Sequence, residues 1–322
     1  MDSITQATLG AAIGHLILGK KSKYGGAILG SIVATIPDLD IVILPFYSSL
    51  ERISIHRGFS HSILFTILAT LVLFFLLKKL KILETVKSLY LLLTIWLALF
   101  THILLDSFTT YGTQLFLPFS DKRISFDSIN IVDPVYTIPL LTGLGLSLFY
   151  KSKPGIYFNW NKLGLIISTV YLLSTLATKV YVENRFEKAL TDEMIRYDKL
   201  LTVPVGIGSL HWFGVAKTKN GLHIAQLNQL KNKDFSFDYF PTNHDLLKDS
   251  DPVLVDRLIW FAKGFYTVAK EDNKIRLYNM QCDMQGIRTF GAYKAPTAFY
   301  FEIENLPNGK FTLSSGMHPK SK

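Results

Sequence analysis

Three short stretches place imidazole and carboxylate groups at spacings suited to holding a metal ion. They are Pro37-Asp38-Leu39-Asp40, His56-Arg57-Gly58-Phe59-Ser60-His61-Ser62 and His102-Ile103-Leu104-Leu105-Asp106. On a helix, His102 and Asp106 stand four residues apart, so both project from one face and can offer a ring nitrogen and a carboxylate oxygen to one ion. Asp38 and Asp40 follow a helix-terminating proline, and carboxylates so close repel unless a cation or a shared proton separates them. His56 and His61 bracket Arg57, which can grip a phosphate or carboxylate through two parallel hydrogen bonds, and Gly58, which lets backbone N–H groups approach the same anion. Each piece alone has an ordinary explanation: an HxxxD pair on a helix surface, a turn with aspartate caps at PDLD, or helix N-caps at Ser60 and Ser62. Taken together they predict a divalent metal centre, most simply Zn²⁺. The single cysteine, Cys282, excludes a disulfide framework and a cysteine cluster, leaving His and carboxylate as the ligand types.

The elements that must position these residues are apolar. Of 322 residues, 49% are hydrophobic and 18% charged, and the mean hydropathy is +0.27, which fits neither an ordinary soluble domain nor a disordered chain. Apolar runs cover Thr5 to Gly19, Tyr24 to Ile36, Ser62 to Leu77, Ser88 to Leu105, Pro134 to Tyr150 and Leu163 to Val182. These predict an α-helical multi-pass membrane domain of about six helices over residues 1–182, the first two short and the last four able to cross the roughly 30 Å hydrocarbon layer. The short pair reads as a re-entrant or shielded hairpin, with Gly10, Gly14, Gly25, Gly26 and Gly30 favouring close helix packing. The first run starts at Asp2 rather than at a basic segment, unlike a cleaved signal peptide. Residues 183–322 change to short alternating stretches and predict a small α+β soluble domain. Asn220-Gly221 marks a hairpin whose tight turn would use positive φ, and Asp251 to Lys263 an amphipathic helix.

Charge placement predicts an orientation. Alternating the six helices across the bilayer puts the loops around Lys20 to Lys23, Lys78 to Lys87 and Lys151 to Lys162 on one side, with ten lysines and one acid. Short cytoplasmic loops collect Lys and Arg, so both termini, the metal centre and the C-terminal domain are expected outside the cytoplasm of a bacterial inner membrane. The formal net charge of +9 then follows from topology, and nucleic acid is not an expected partner. Membrane lipids are.

At these residues the chain resembles a family of bacterial membrane-bound metal-dependent hydrolases. The resemblance is carried by MDSITQATLGAAIG, IPDLD, HRGFSHS, THILLD with the following TTYGTQLFLPFS, and FDSINIVDP, in order over roughly residues 1 to 140. It implies a hydrolase whose metal ligands are Asp38, Asp40, His56, His61, His102 and Asp106. In that mechanism the ion lowers the pKa of bound water and polarises the scissile group. Asp38 or Asp40 serves as ligand or general base, Arg57 stabilises an anionic group, and Ser60 completes the catalytic set beside Asp40 and Arg57. A phosphoester or ester at the outer membrane–water interface is the expected substrate, with a lipid head group the first choice. Two other classes compete. A transporter or sensor should carry ionisable groups near the bilayer midplane, whereas these lie at one boundary. A structural anchor would use the metal for stability alone.

Other polar residues have weaker claims. Gln6 is placed to support a ligand, His15 to pack at the opposite end of the first helix, Asp133 to cap the fifth helix, and Asp127 to orient a ligand. His211, His223, His244 and His318 show no metal spacing.

Overall fold

A computed structural model describes residues 1–19, 22, 24–149, 159–230, 235–271, 274–281, 297, 299–305 and 311–317. Cys282, His318, Lys20, Lys21, Lys23 and most of the loop preceding Lys162 lie outside the described residues. The chain divides into two compact units: residues 1–46 with 54–177, and residues 47–53 with 178–322.

The six apolar runs all form helices: α1 Ser3–Leu18, α2 Gly25–Thr35, α5 Ile63–Lys79, α6 Ser88–Ser107, α7 Pro134–Phe149 and α8 Trp160–Asp192. Between the second and third of these, α3 Asp40–Ile43 and α4 Ser49–Ile55 add two short helices that hydropathy alone did not resolve. Among the described residues up to Asp192 there are thus eight α-helices where about six were expected, and α9 further on makes nine. Among the described residues, α6 and α8 alone are individually long and apolar enough to cross a membrane. The second and third runs qualify only as bent pairs, Gly25–Thr35 with Pro37–Phe46 at 43° and Ser49–His61 with Ile63–Lys79 at 56°. By length and composition the described residues thus offer two to four candidate spans, against the expected four to six. The expected fifth crossing, α7, has 16 residues and reaches about 24 Å. The breaks have local causes. Pro37 lacks the N–H needed to continue α2, and Ser62 restarts the chain as the N-cap of α5, its hydroxyl accepting the Phe65 N–H at 3.0 Å.

Helix α6 is the centre of the first unit. Leu91, Ile95, Ala98 and Leu99 pack with Leu18, Val33 and Ala34, while Leu105 packs with Leu9, Ala12, Ile13 and Leu140. Because α6 is enclosed by α1, α2, α5 and other helices, the His102 and Asp106 it carries are buried at 1% and 0% exposure. Helices α1 and α2 meet at glycines: a Cβ on Gly14 would strike the Gly26 carbonyl, and one on Gly30 the Gly10 carbonyl. That contact lets two backbones touch and brings the end of α2 beside α6.

In the second unit, β1 Lys199–Val205, β2 His211–Lys217, β3 Gly221–Asn228 and β4 Asp238–Pro241 form one antiparallel sheet. β5 Tyr266–Glu271, β6 Lys274–Asn279, β7 Phe299–Asn305 and β8 Phe311–Met317 form another. Period-two alternation splits the first sheet between two cores. Leu201, Val203, Phe213, Val215, Leu222 and Ile224 join Phe265, Tyr278 and Met280, while Trp212, Ala225 and Leu227 pack against Val182 and Phe186 at the end of α8. The hairpin at residues 218–220 joins β2 and β3 as expected. Its turn differs: neither Asn220 nor Gly221 takes a positive φ, and the Thr218 N–H and Oγ1–H instead donate to the Gly221 carbonyl at 2.8 and 2.9 Å. The amphipathic helix is α9, Pro252–Phe261, capped by Asp251, which accepts the Val253 N–H at 2.8 Å.

Candidate metal centre

Three elements of the first unit meet at the same place. The one-turn 3-10 helix Pro37–Leu39 after α2 supplies Asp38, the one-turn helix Phe59–His61 before α5 supplies His61, and the last turns of α6 supply His102 and Asp106. One donor atom from each of these four residues lies within 4.8 Å of the other three. The His61 and His102 Nε2 atoms are 3.3 Å apart. Asp38 Oδ1 stands 3.5 Å from His61 Nε2 and 3.4 Å from His102 Nε2. Asp106 Oδ2 stands 3.4 and 3.8 Å from the same two nitrogens. Four ligands each about 2.0–2.1 Å from a central ion occupy tetrahedral corners about 3.3 Å apart. The donor set is thus close to the size of a four-coordinate site.

The tautomers favour a cation at that point. His102 Nδ1 lies 2.6 Å from the Ala34 carbonyl, which can only accept, so Nδ1 carries the proton and Nε2 presents a lone pair to the cluster. His61 is held similarly. Its Nδ1 is 2.9 Å from Ser60 Oγ, and the Ser60 hydroxyl donates onward to Asp40 Oδ2 at 3.3 Å, so the serine oxygen accepts from the ring. Two imidazole lone pairs and two carboxylate oxygens then face one another, an arrangement that a bound cation closes. Asp106 Oδ2 is buried with no hydrogen-bond partner, an acceptor aimed into the set. Its other oxygen is occupied: Oδ1 accepts from Gln6 Nε2 at 2.9 Å and pairs with the Met1 α-amine.

The six residues expected as ligands divide here. Asp38, His61, His102 and Asp106 come together, whereas Asp40 and His56 lie outside the four-donor set and pair with each other, Asp40 Oδ1 to His56 Nδ1 at 3.3 Å. A 3-10 turn advances about 120° per residue, so residues 38 and 40 leave the backbone in different directions and only one faces His102. Asp40 also accepts the Arg57 backbone N–H at 2.8 Å, and thereby clamps the turn that carries His61. Arg57 takes a left-handed φ of 55°, a conformation that is costly for a residue with a Cβ. Its Nε stands 3.1 Å from Asp106 Oδ2 and its Nη1 donates to Thr109 Oγ1 at 3.0 Å. Part of the guanidinium is therefore turned toward a ligand. Ser60 sits on His61.

Several contributors were not legible as site residues. Tyr111 has the Arg57 guanidinium 5.1 Å and the Arg123 guanidinium 4.5 Å from its ring, with the His56 ring edge-on at 5.3 Å. Arg123 donates to the Tyr111 and His56 carbonyls at 3.3 and 3.1 Å. The available signal was Tyr111-Gly112 shortly after THILLD, beyond Ser107-Phe108-Thr109-Thr110, since Gly112 holds φ at 74° where the chain turns back. Gln6 has the supporting place expected of it. His15 pairs with Ser147 at 3.1 Å, and Asp133 caps α7 through the Val135 N–H at 3.0 Å while accepting the Tyr171 hydroxyl at 2.6 Å. Asp127 is buried at a left-handed φ of 48°, outside the donor set.

Residues 1–186 match the family described as YdjM inner membrane protein. Two bacterial proteins are similar in sequence. Uncharacterized protein YfhP of Bacillus subtilis (strain 168) is 28% identical over 250 residues, covering 71% of this chain and 71% of that protein. Inner membrane protein YbcI of Escherichia coli (strain K12) is 30% identical over 117 residues, covering 36% of this chain and 64% of that protein. No solved structure matches.

Proposed function

Because the chain belongs to the YdjM inner membrane protein family, we propose that it is a membrane-bound metal-dependent hydrolase acting on a phosphoester or ester at the membrane–water interface. The observation that carries this reading is the close set of Asp38, His61, His102 and Asp106 donors, all within 4.8 Å of one another, held in a unit with candidate membrane spans. Zn²⁺ suits the two imidazoles and two carboxylates. A divalent ion bound there supplies Lewis-acid polarisation of the scissile group and activation of water. The chain's own residues do the rest. Ala34 and Ser60 fix the ring orientations of His102 and His61, and Gln6 and Arg57 hold the Asp106 carboxylate. Arg57 brings the positive charge that favours an anionic substrate group beside Asp106. His56, oriented by Asp40 and with 27% of its side chain exposed, is placed to accept or return a proton at its Nε2. Asp38, at 21%, is the most exposed of the four ligands and marks the side from which substrate enters.

One observation favours a second reading. All four donors come from protein, the arrangement of a structural ion, whereas catalytic zinc usually keeps a position open. Turnover separates the two. The full chain purified in lipid nanodiscs should bind metal and hydrolyse phosphodiester or ester substrates, and His102→Ala and Asp106→Ala should abolish both properties. Equal turnover in the variants would remove the proposed site. Metal loss that lowers stability in a protein without turnover would leave the ion a structural role.

For orientation, the lysine-rich loop of residues 78–87 supports a cytoplasmic face, with the metal centre and C-terminal unit on the outer side. Membrane-impermeant labelling of single cysteines placed at Lys81 and at Lys219 in intact cells tests it: Lys219→Cys should react and Lys81→Cys should not.

A further inference from the structure

We propose that a groove along α5 is an acyl-chain subsite of the metal centre, so that the substrate is an amphiphile whose polar group reaches the four ligands while its hydrocarbon chain lies against α5. The inference rests on the hydrolase reading and names its substrate class. The groove has a volume of about 370 Å³ and an entirely apolar lining, within the roughly 300–1,000 Å³ range of small-molecule sites.

Its walls explain both its shape and its direction. Phe65, Leu68, Ala69, Val72 and Leu73 recur at helical spacing and form one stripe of α5. Ala69 and Leu73 also pack on the helical core, so they form the floor. Leu68 and Val72 stay 46% and 65% exposed and form the rim. The small side chain of Ala69 between larger neighbours is what keeps the stripe concave. From Phe65 to Leu73 the stripe runs about 12 Å at the helical rise, close to the roughly 15 Å depth of one hydrocarbon leaflet.

One end of the groove lies beside the two one-turn helices that carry Asp38 and His61. Ile36 lines it two residues before Asp38, and Phe59 two residues before His61, so each ligand is within about 7 Å of chain from a groove wall. The one-turn helices that carry the two ligands touch each other, and the Phe59 and Phe65 rings meet edge-on at 5.9 Å. An apolar groove whose walls stand two residues from two of the ligands matches a molecule with one charged end and one hydrocarbon end. A water-soluble phosphoester would leave the groove without a purpose, and bulk lipid would cover it no differently from any other exposed helix face.

The test uses the full chain in phosphatidylcholine vesicles doped with a phosphatidic acid that carries a photoreactive diazirine in its acyl chain. Labelling of the Phe59–Leu73 segment should saturate with probe and fall severalfold when unlabelled long-chain phosphatidic acid competes, but not with glycerol phosphate. Labelling of the exposed α8 face at Ile167 and Val170 should rise in proportion to probe and resist competition. Ala69→Phe, which fills the floor, should remove the saturable labelling and leave the α8 labelling intact. The competition on the unaltered chain stands even if that variant misfolds. Labelling of α5 that is non-saturable and indistinguishable from α8 would overturn the subsite. Parallel turnover assays keep the two ideas apart. Turnover indifferent to chain length, with no saturable labelling, would sink the subsite alone, whereas saturable labelling without turnover would uphold the subsite and sink the hydrolase.

Discussion

Two clusters of charged side chains, one in each unit, solve opposite problems. In the sheet unit, Arg276 and Lys274 on β6 meet Glu302 on β7 at 3.1 and 2.8 Å, and Arg276 also pairs with Glu271. Each charge there has a partner of opposite sign near water, and nothing further is required. Around α6, by contrast, His61, His102 and Asp106 are almost wholly enclosed, and although Gln6, the Met1 α-amine and Arg57 flank the Asp106 carboxylate, the two ring nitrogens and Asp106 Oδ2 face one another. Burying acceptors face to face costs several kcal/mol unless something positive joins them. The same residue types thus make a self-sufficient surface network in one unit and an incomplete interior one in the other.

The largest expected effect probes that incompleteness. Asp106→Ala leaves Arg57 buried without its carboxylate and should cost about 3–5 kcal/mol, read by denaturant unfolding in detergent, together with loss of bound metal by elemental analysis. If bound metal and stability were both retained, the contrast between the clusters would disappear. Next, Gly14→Val drives a side chain into the backbone of α2 and should cost about 1–3 kcal/mol. It should also lower metal occupancy, because α2 carries the Ala34 carbonyl that sets the His102 tautomer. A smaller effect is expected from Ser60→Ala, which removes the group orienting His61 without removing a donor: metal affinity should fall about 10-fold, the lower end for such supporting residues. Asp40→Asn should resemble Ser60→Ala, and Asp38→Asn should be much more severe. Equal losses in both aspartate variants would restore Asp40 to the ligand set.

The surface network should respond least. Arg276→Gln is expected to change stability by about 1 kcal/mol or less. Its pH dependence has a definite sign. Contact with Lys274, reinforced by Arg276, holds the Glu302 carboxyl below the ordinary glutamate range. Its contribution is therefore complete above the unfolded value of about 4.3 and is lost as the pH falls through the lower folded value. Thermal unfolding between neutral and acid pH should show this loss in the parent chain and less of it in Glu302→Gln.

Much of the helical unit was legible because hydropathy is a local property. Every apolar run became a helix, and the prediction that three separated motifs meet at one end of the bundle matches the positions of Asp38, His61, His102 and Asp106. The sheet unit was less legible. β1 contains Pro204, which reads as a strand breaker but sits on the edge of its sheet, where a missing N–H is tolerated. β5 and β8 carry little signal of their own, since Tyr266–Glu271 and Phe311–Met317 are short and acquire strand character through their sheet partners.

Composition and spacing alone placed imidazole and carboxylate side chains near positions 38, 61, 102 and 106 at the ends of apolar stretches, because residue type and helical period are written along one dimension. Which of the six candidates lie within reach of one another depended on packing. The glycine contact of α1 with α2, the enclosure of α6 and the turn at Arg57 set the direction of each side chain, and direction depends on neighbours that lie tens of residues away.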